Sequence, residues 1–317
     1  MPLIDVQSLH FTVPTGHIIQ KTKTILHDVS FSVEQGTSTA YLGTNGAGKT
    51  STFRILCGLV KPNAGQVFFD SEVMHQGLPP KRFGFMPEHP YFYKNLTPRE
   101  LLTSLGKLSG LPSKGLKQKI EMWAEKLDFT QVLGQRLSTC SKGQAQRVGL
   151  AQALIHQPDF ILLDEPLSGL DPIGRACVRS VIQDEVRRGA TLLFSSHILS
   201  DAEAMCDQVV ILQEGCIRYA GDIHSLLAHD ARWLIQAQGK PLWGQQAGQH
   251  TDVEITASLD GVWQIRGANQ EVRNTWLQNI LSSESTTLVS VQSEQRTLES
   301  AFLNLLKIKG DHDASHS

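Results

Sequence analysis

The chain has 317 residues, enough for one large domain or for a domain with a smaller companion, and the spread of its motifs favours two. Lys and Arg number 29 against 31 Asp and Glu, with no run of five or six like charges, so no nucleic-acid partner is expected. The apolar runs fall far short of the roughly 20 residues of a spanning helix, and Met1-Pro2-Leu3-Ile4-Asp5 lacks the features of a secretory leader, so a soluble, cytoplasmic chain is expected.

Residues 1 to 37 alternate apolar and polar side chains and predict an antiparallel sheet that continues in Gln66-Val67-Phe68-Phe69. Ser38-Thr39-Ala40-Tyr41-Leu42 reads as a strand, and Thr52-Phe53-Arg54-Ile55-Leu56 as a helix. Between them lies Gly43-Thr44-Asn45-Gly46-Ala47-Gly48-Lys49-Thr50-Ser51, with the G-x-x-x-x-G-K-S/T spacing that wraps the phosphates of a nucleoside triphosphate. The three glycines let the backbone turn tightly and aim its N–H groups at phosphate oxygens, and Lys49 adds a point charge. Thr50 is expected to open the helix, whose dipole favours an anion, and to offer its hydroxyl to Mg²⁺.

Thr97-Pro98-Arg99-Glu100 has the form of a capping box with Pro at the first helical position, followed by Leu101, Leu102 and Leu105. With a second helix over Lys117 to Leu127 it predicts a helical insertion at about 90–155. Ser141 and Gln144 form another capping box, starting a helix through Val148, Leu150, Ala151 and Leu154. Asp159-Phe160-Ile161-Leu162-Leu163-Asp164-Glu165-Pro166 is an apolar run ending in two acids, as expected of a central parallel strand. Ligands in such sheets sit beyond the carboxyl ends of the strands, so Asp164 can hold Mg²⁺ through water and Glu165 can polarise an attacking water. Thr191 to Ser196 reads as another buried strand, ending at His197, and Val209 to Leu212 with Ile217 to Tyr219 as a hairpin around Glu214-Gly215. The cysteines at 57, 140, 177, 206 and 216 have no paired or metal-ligand spacing and are expected to be reduced and mostly buried.

With these parts in order, Ser138-Thr139-Cys140-Ser141-Lys142-Gly143-Gln144 resembles the L-S-G-G-Q signature of the ATP-binding subunits of ABC transporters, and the resemblance covers roughly residues 1 to 225. Cys140 stands for the usual Leu and Lys142 for the first Gly, a lysine familiar in type-2 exporter ATPases. The resemblance implies a P-loop α/β core with a parallel sheet, an antiparallel β subdomain and a helical insertion. It also implies ATP and Mg²⁺ as cofactors and a head-to-tail pair of ATPase domains, from a second copy or a paralogue. Ser141, Gly143 and Gln144 would then close on the partner's nucleotide. Asp171 in Ser168-Gly169-Leu170-Asp171-Pro172 would communicate between sites, although it also fits a plain helix cap, and His197 would be the switch histidine. Glu88, in Phe83-Gly84-Phe85-Met86-Pro87-Glu88, fills the place of the usual Q-loop Gln and would face the metal as an acceptor only. The adenine-stacking position falls near Val13, Phe11 and His17 and is not assigned to a residue. A membrane permease would dock on the Q-loop groove, so that the chain sits on the cytoplasmic face of the membrane. Pro90-Tyr91-Phe92-Tyr93 fits either that contact or packing of the helical lobe.

Beyond residue 224 a small α+β unit is expected over 225–309. Its strands are Trp233 to Gln236, Val253 to Thr256, Val262 to Ile265 (after an Asp260-Gly261 turn) and Thr287 to Val291, and its helices Glu271 to Leu281 and Leu298 to Ile308. A polar loop over 245–250 and a disordered tail over 310–317 are also expected. The segment Arg296-Thr297-Leu298-Glu299-Ser300-Ala301-Phe302-Leu303 resembles the terminal helix of type-2 exporters. The expected function is the ATP-hydrolysing motor of an exporter. The alternative is a non-transport ABC ATPase acting on ribosomes or DNA, whose second core, heptads or basic extensions are not seen.

Overall fold

The computed structural model describes residues 2–15, 21–74, 82–228, 232–239, 253–257, 261–283, 285–294 and 297–307. Contacts divide the chain into two compact units, Met1–Asp222 and Ile223–Ser317. The first unit opens with β1 (Pro2–Thr15), β2 (Lys21–Glu34), β3 (Ser38–Gly43), α1 (Lys49–Leu56), β4 (Ala64–Phe69), β5 (Glu72–Val73) and β6 (Phe83–Met86). Helices α2 (Pro98–Leu108), α3 (Ser113–Lys126) and α4 (Lys142–Leu154) follow. The unit ends with β7 (Phe160–Leu163), α5 (Pro172–Arg187), β8 (Thr191–Ser196), α6 (Leu199–Met205), β9 (Gln208–Gln213) and β10 (Cys216–Asp222).

The main sheet has the order β10-β9-β3-β8-β7-β6, with every pairing parallel except the β9–β10 hairpin at its edge. Every residue of β3, β7 and β8 is buried, which is why these runs are continuously apolar or small rather than alternating. The second sheet, β2-β1-β4-β5, is antiparallel throughout. The two share a core in which Tyr41 of β3 stands between Phe31 of β2 and Phe53 of α1, at ring separations of 5.2 and 5.7 Å. This packing seats α1 on the sheet, and truncating the fully buried Phe53 to Ala is worth about 3–5 kcal/mol.

Helix starts follow their local chemistry. The Thr97 hydroxyl accepts from the Glu100 N–H at 3.2 Å while the Glu100 carboxylate accepts from the Thr97 N–H at 2.9 Å, and Pro98 takes the first helical position of α2. In α3, Gly115 at φ 86° and the extended Lys114 break the helical path, so its regular part begins close to the expected Lys117. The cysteines are free, but only Cys57 is buried. The others are half-buried, contrary to expectation, because three lie at element ends (Cys140 before α4, Cys206 after α6, Cys216 opening the edge strand β10) and Cys177 on the rim of α5.

The second unit comprises α7 (Ile223–Ala228), β11 (Arg232–Gly239), β12 (Val253–Ala257), β13 (Val262–Gly267), α8 (Gln270–Leu281), β14 (Thr286–Glu294) and α9 (Leu298–Lys307). Its antiparallel sheet, β12-β13-β11-β14, buries Trp233, Ile235, Ala237 and Ile265 against Trp276 and Ile280 of α8. The Asn269 side chain caps α8 by accepting from the Glu271 N–H at 2.8 Å. The expected Asp260 turn residue, the 245–250 loop, Arg296, Ile308, the 310–317 tail and His17 lie outside the described residues. Among the described residues no helix is long and apolar enough to cross a membrane.

Candidate nucleotide site

The strand β3 delivers Gly43 to the carboxyl edge of the sheet, where the chain turns into α1. Gly46 and Gly48 take the left-handed conformation, at φ 79° and 115°, and a Cβ on Gly48 would stand 2.6 Å from Leu26 Cδ2. Gly43 differs from the expectation that all three glycines make the turn. Its φ is not left-handed, and its lack of a side chain answers instead to the Leu212 carbonyl oxygen, 2.5 Å from where a Cβ would lie. The helix begins at Lys49, one residue before the expected Thr50, with Gly48 as its cap.

Thr44, Asn45, Gly46, Ala47, Gly48, Lys49, Thr50 and Ser51 line an open pocket of about 620 Å³, together with Glu88, Asp164, Glu165 and His197. Lys49 Nζ donates to the Gly43 carbonyl at 2.6 Å. Burial pulls the Lys49 ammonium below its ordinary value, against the opposing charges of Glu165, Asp164 and Glu88. Asp164, 3% exposed, is pushed above the usual carboxylate range by burial and by the Glu88 charge, while hydrogen bonds from Ser195 and Thr50 and the charge of Lys49 oppose the rise. The Thr50 hydroxyl and the Asp164 and Glu88 carboxylates are hard oxygen donors of the kind Mg²⁺ selects. The described residues contain no cluster of three His, Cys, Asp or Glu with metal-holding geometry. A donor set this small suits an ion completed by phosphate oxygens and water rather than an all-protein cage.

Glu165 follows β7 with φ at 50°, an uncommon conformation for a residue with a side chain. It is held from β8, from α4 and from the turn that follows β8. Its N–H donates to Ser195 Oγ at 2.9 Å, and that hydroxyl donates its own proton to Asp164 Oδ1 at 2.6 Å. Its carbonyl accepts from Gln146 Nε2 of α4 at 3.2 Å. Its Oε2 lies 2.6 Å from His197 Nδ1, and because an ionised carboxylate only accepts, Nδ1 carries the proton. Ser195 and Gln146 escaped sequence reasoning, as did Lys23 and Ile25 of β2, which complete the pocket wall. A polar residue directly after the apolar Leu192-Leu193-Phe194 was the one available signal for Ser195. Lys23 is cross-strand from Val13, so the hairpin brings β2 rather than the expected β1 positions Phe11 and Val13 to the pocket.

Ser141, Gly143, Gln144 and Asp171 do not line this pocket. Ser141 and Gln144 are joined in their capping box, with the Gln144 N–H 3.2 Å from Ser141 Oγ and the Ser141 N–H 2.8 Å from Gln144 Oε1. Asp171 caps α5 by accepting from the Gly174 N–H at 3.0 Å. The Lys142 side chain lies along Gly169, whose added Cβ would meet Lys142 Cε at 2.7 Å. Of the aromatic trio, Tyr91 and Tyr93 are exposed at 90% and 77%, whereas Phe92 packs toward Gly149 of α4.

Comparison with known proteins gives this arrangement its family. The ABC transporter profile matches residues 26–168. An uncharacterised ABC transporter ATP-binding protein of Synechocystis is 32% identical over 300 residues, spanning 93% of this chain and 82% of the relative. The chain belongs to the ABC transporter ATP-binding family. The bacitracin transport ATP-binding protein BcrA of Bacillus licheniformis is 32% identical over 286 residues, covering 88% of this chain and 91% of BcrA. A solved ATP-binding subunit of an ABC transporter superposes with a TM-score of 0.64 at 29% identity, over 72% of this chain and 92% of that subunit. As a member of this family the chain is an ATPase, and its P-loop fold with an antiparallel β subdomain is that of its structural neighbours.

Proposed function

We propose that this chain is the cytoplasmic motor subunit of an ABC exporter. Two copies, or one copy and a paralogue, close around two ATP, and hydrolysis reopens them. A separate membrane permease converts the cycle into movement of cargo. Residues Gly43 to Ser51 hold the phosphates, Thr50, Asp164 and Glu88 hold Mg²⁺, and Glu165 orients and deprotonates the attacking water with His197 beside it. Bound Mg²⁺ supplies neutralisation of phosphate charge.

One observation carries the dimer. The pocket is lined by Thr44 to Ser51 and by Glu88, Asp164, Glu165 and His197, while Ser141, Gly143 and Gln144 stand outside it with Ser141 exposed. A helix N-terminus bearing a hydroxyl and free to meet an anion completes the pocket of another chain. The resemblance of Lys142 and the terminal segment to type-2 exporters supports export, and the relative named for bacitracin transport supports a transported cargo. Within this reading residues 225–309 form an accessory, regulatory domain.

The test is Glu165→Gln with Mg²⁺ and ATP. It should trap a dimer by light scattering while lowering turnover about 10²- to 10⁴-fold. A monomer hydrolysing ATP at the wild-type rate would remove Glu165 from its role. Recovery of the tagged chain from membranes with a polytopic protein in about equal amount is the expected companion result. Recovery with ribosomal or DNA-linked proteins instead would overturn the transport reading.

A further inference from the structure

Glu165 is one of several described non-glycine residues with a positive φ, and its backbone is held by side chains from β8 and α4. A left-handed residue with a side chain is strained and persists only where its surroundings hold it, and such strain collects at working sites. Here both polar groups of the Glu165 residue's backbone have side-chain partners that are themselves almost fully buried. Ser195 is 0% exposed and Gln146 is 2% exposed. Ser195 takes the Glu165 N–H at 2.9 Å and commits its single proton to Asp164 at 2.6 Å. One hydroxyl therefore fixes the spacing of the two acids from the side of β8. Gln146 reaches from α4 to the Glu165 carbonyl at 3.2 Å and to the Pro166 carbonyl at 3.4 Å. Only a donor can serve there, because both partners are acceptors.

We infer that Ser195 and Gln146 are positioning residues for hydrolysis, forming a clamp that holds the Glu165 peptide in its left-handed conformation and so aims its carboxylate at the attacking water. The inference rests on the general-base reading of Glu165. It adds that the aim is set from two elements, and that one of them is the helix whose first turn carries Ser141 and Gly143. The carboxylate itself reaches His197, so rotation of the clamped peptide would move the acid relative to both His197 and Asp164. Neither clamp residue lines the pocket, so both act through Glu165 rather than on the nucleotide.

The experiment uses the full-length chain and four variants, with ATP affinity by calorimetry, kcat and KM for ATP, and thermal midpoints. Gln146→Leu removes the donor and Ser195→Ala removes the hydroxyl. Each should lower kcat at least tenfold and leave KM within about twofold, since the loop from Gly43 to Ser51 is untouched. Ser195→Thr, which keeps the hydroxyl, should recover most of the kcat that Ser195→Ala loses. Gln146→Glu gives a readout that simple packing does not. Its introduced carboxyl can donate to the two carbonyls only when protonated, so kcat relative to wild type should fall as pH rises, at temperatures well below its own thermal midpoint. Wild-type kcat in Gln146→Leu and Ser195→Ala would overturn the clamp. A kcat loss matched only by a lower thermal midpoint, with no pH dependence in Gln146→Glu, would also overturn it. Failure of the underlying reading shows differently: Glu165→Gln would turn over at the wild-type rate.

Discussion

The pocket and the first turn of α4 are carried by the same unit, yet one is converged and the other open. Around Lys49, carboxylates, hydroxyls and a histidine meet within hydrogen-bond distance, and burial perturbs both Lys49 and Asp164. At Ser141 the side chain and N–H are taken up by the capping box with Gln144, and the serine faces solvent. The difference separates two kinds of functional residue. One kind betrays itself inside a single chain by perturbed charge and crowded geometry, whereas the other, in the pairing proposed above, looks like an ordinary helix start until a second chain supplies its ligand.

The sharpest way to break this comparison is Lys49→Ala. Loss of a charged donor at the phosphates should weaken ATP binding by about 100-fold or more, read by calorimetry on the isolated chain. Ser141→Ala should leave that affinity unchanged, because Ser141 lies outside the pocket, and should lower turnover only where chains pair. Its direct structural cost is the lost cap, about 1 kcal/mol, seen as a lower thermal midpoint. Mixing the two variants sharpens the point. A pair of one Lys49→Ala chain and one Ser141→Ala chain holds one pocket in which both elements are native, so the mixture should hydrolyse ATP faster than either variant alone. No gain on mixing, or an equal loss of ATP affinity in the two variants, would collapse the distinction between the pocket and the signature turn.

How far the sequence could be read follows the same division. The loop from Gly43 to Ser51 was legible because tight turns and phosphate contact demand fixed residue types at fixed spacing. Phe160 to Leu163 was legible because a strand buried on both faces must be apolar throughout. The helices α2 and α4 announce themselves by capping boxes, which are local in sequence. What the sequence did not disclose depends on register and on contacts across the sheet. Lys23 and Ile25 reach the pocket only because β1 and β2 pair with Val13 opposite Lys23. Ser195 and Gln146 sit 30 and 19 residues from Glu165, and apart from the polarity of Ser195 at the end of its strand nothing local marks either as a partner. Burial of the cysteines was overestimated because a thiol's preference for the interior says nothing about whether its position ends an element.

The smallest predicted effect concerns the far end of α4, where His156 tests whether the helix is fixed at its base while its first turn stays open. His156 Nε2 lies 3.0 Å from the Phe83 carbonyl of β6, and since that oxygen only accepts, Nε2 carries the proton. The other ring nitrogen, Nδ1, is buried with no hydrogen-bond partner among the described residues. Burial, with some help from the Lys119 charge, holds the imidazole below its ordinary 6.5, and the Phe83 bond only partly opposes this. The folded chain therefore resists a proton that the unfolded chain accepts. Stability is undiminished above the unfolded value and falls as pH drops from about 6.5 toward the folded value. Thermal midpoints measured from about pH 7.5 down to 5.5 should decline more steeply for the wild type than for His156→Gln, whose side chain cannot take up the proton. Identical slopes would mean that protonating His156 costs the fold nothing, and that the α4–β6 junction gives way as readily as the open turn at Ser141.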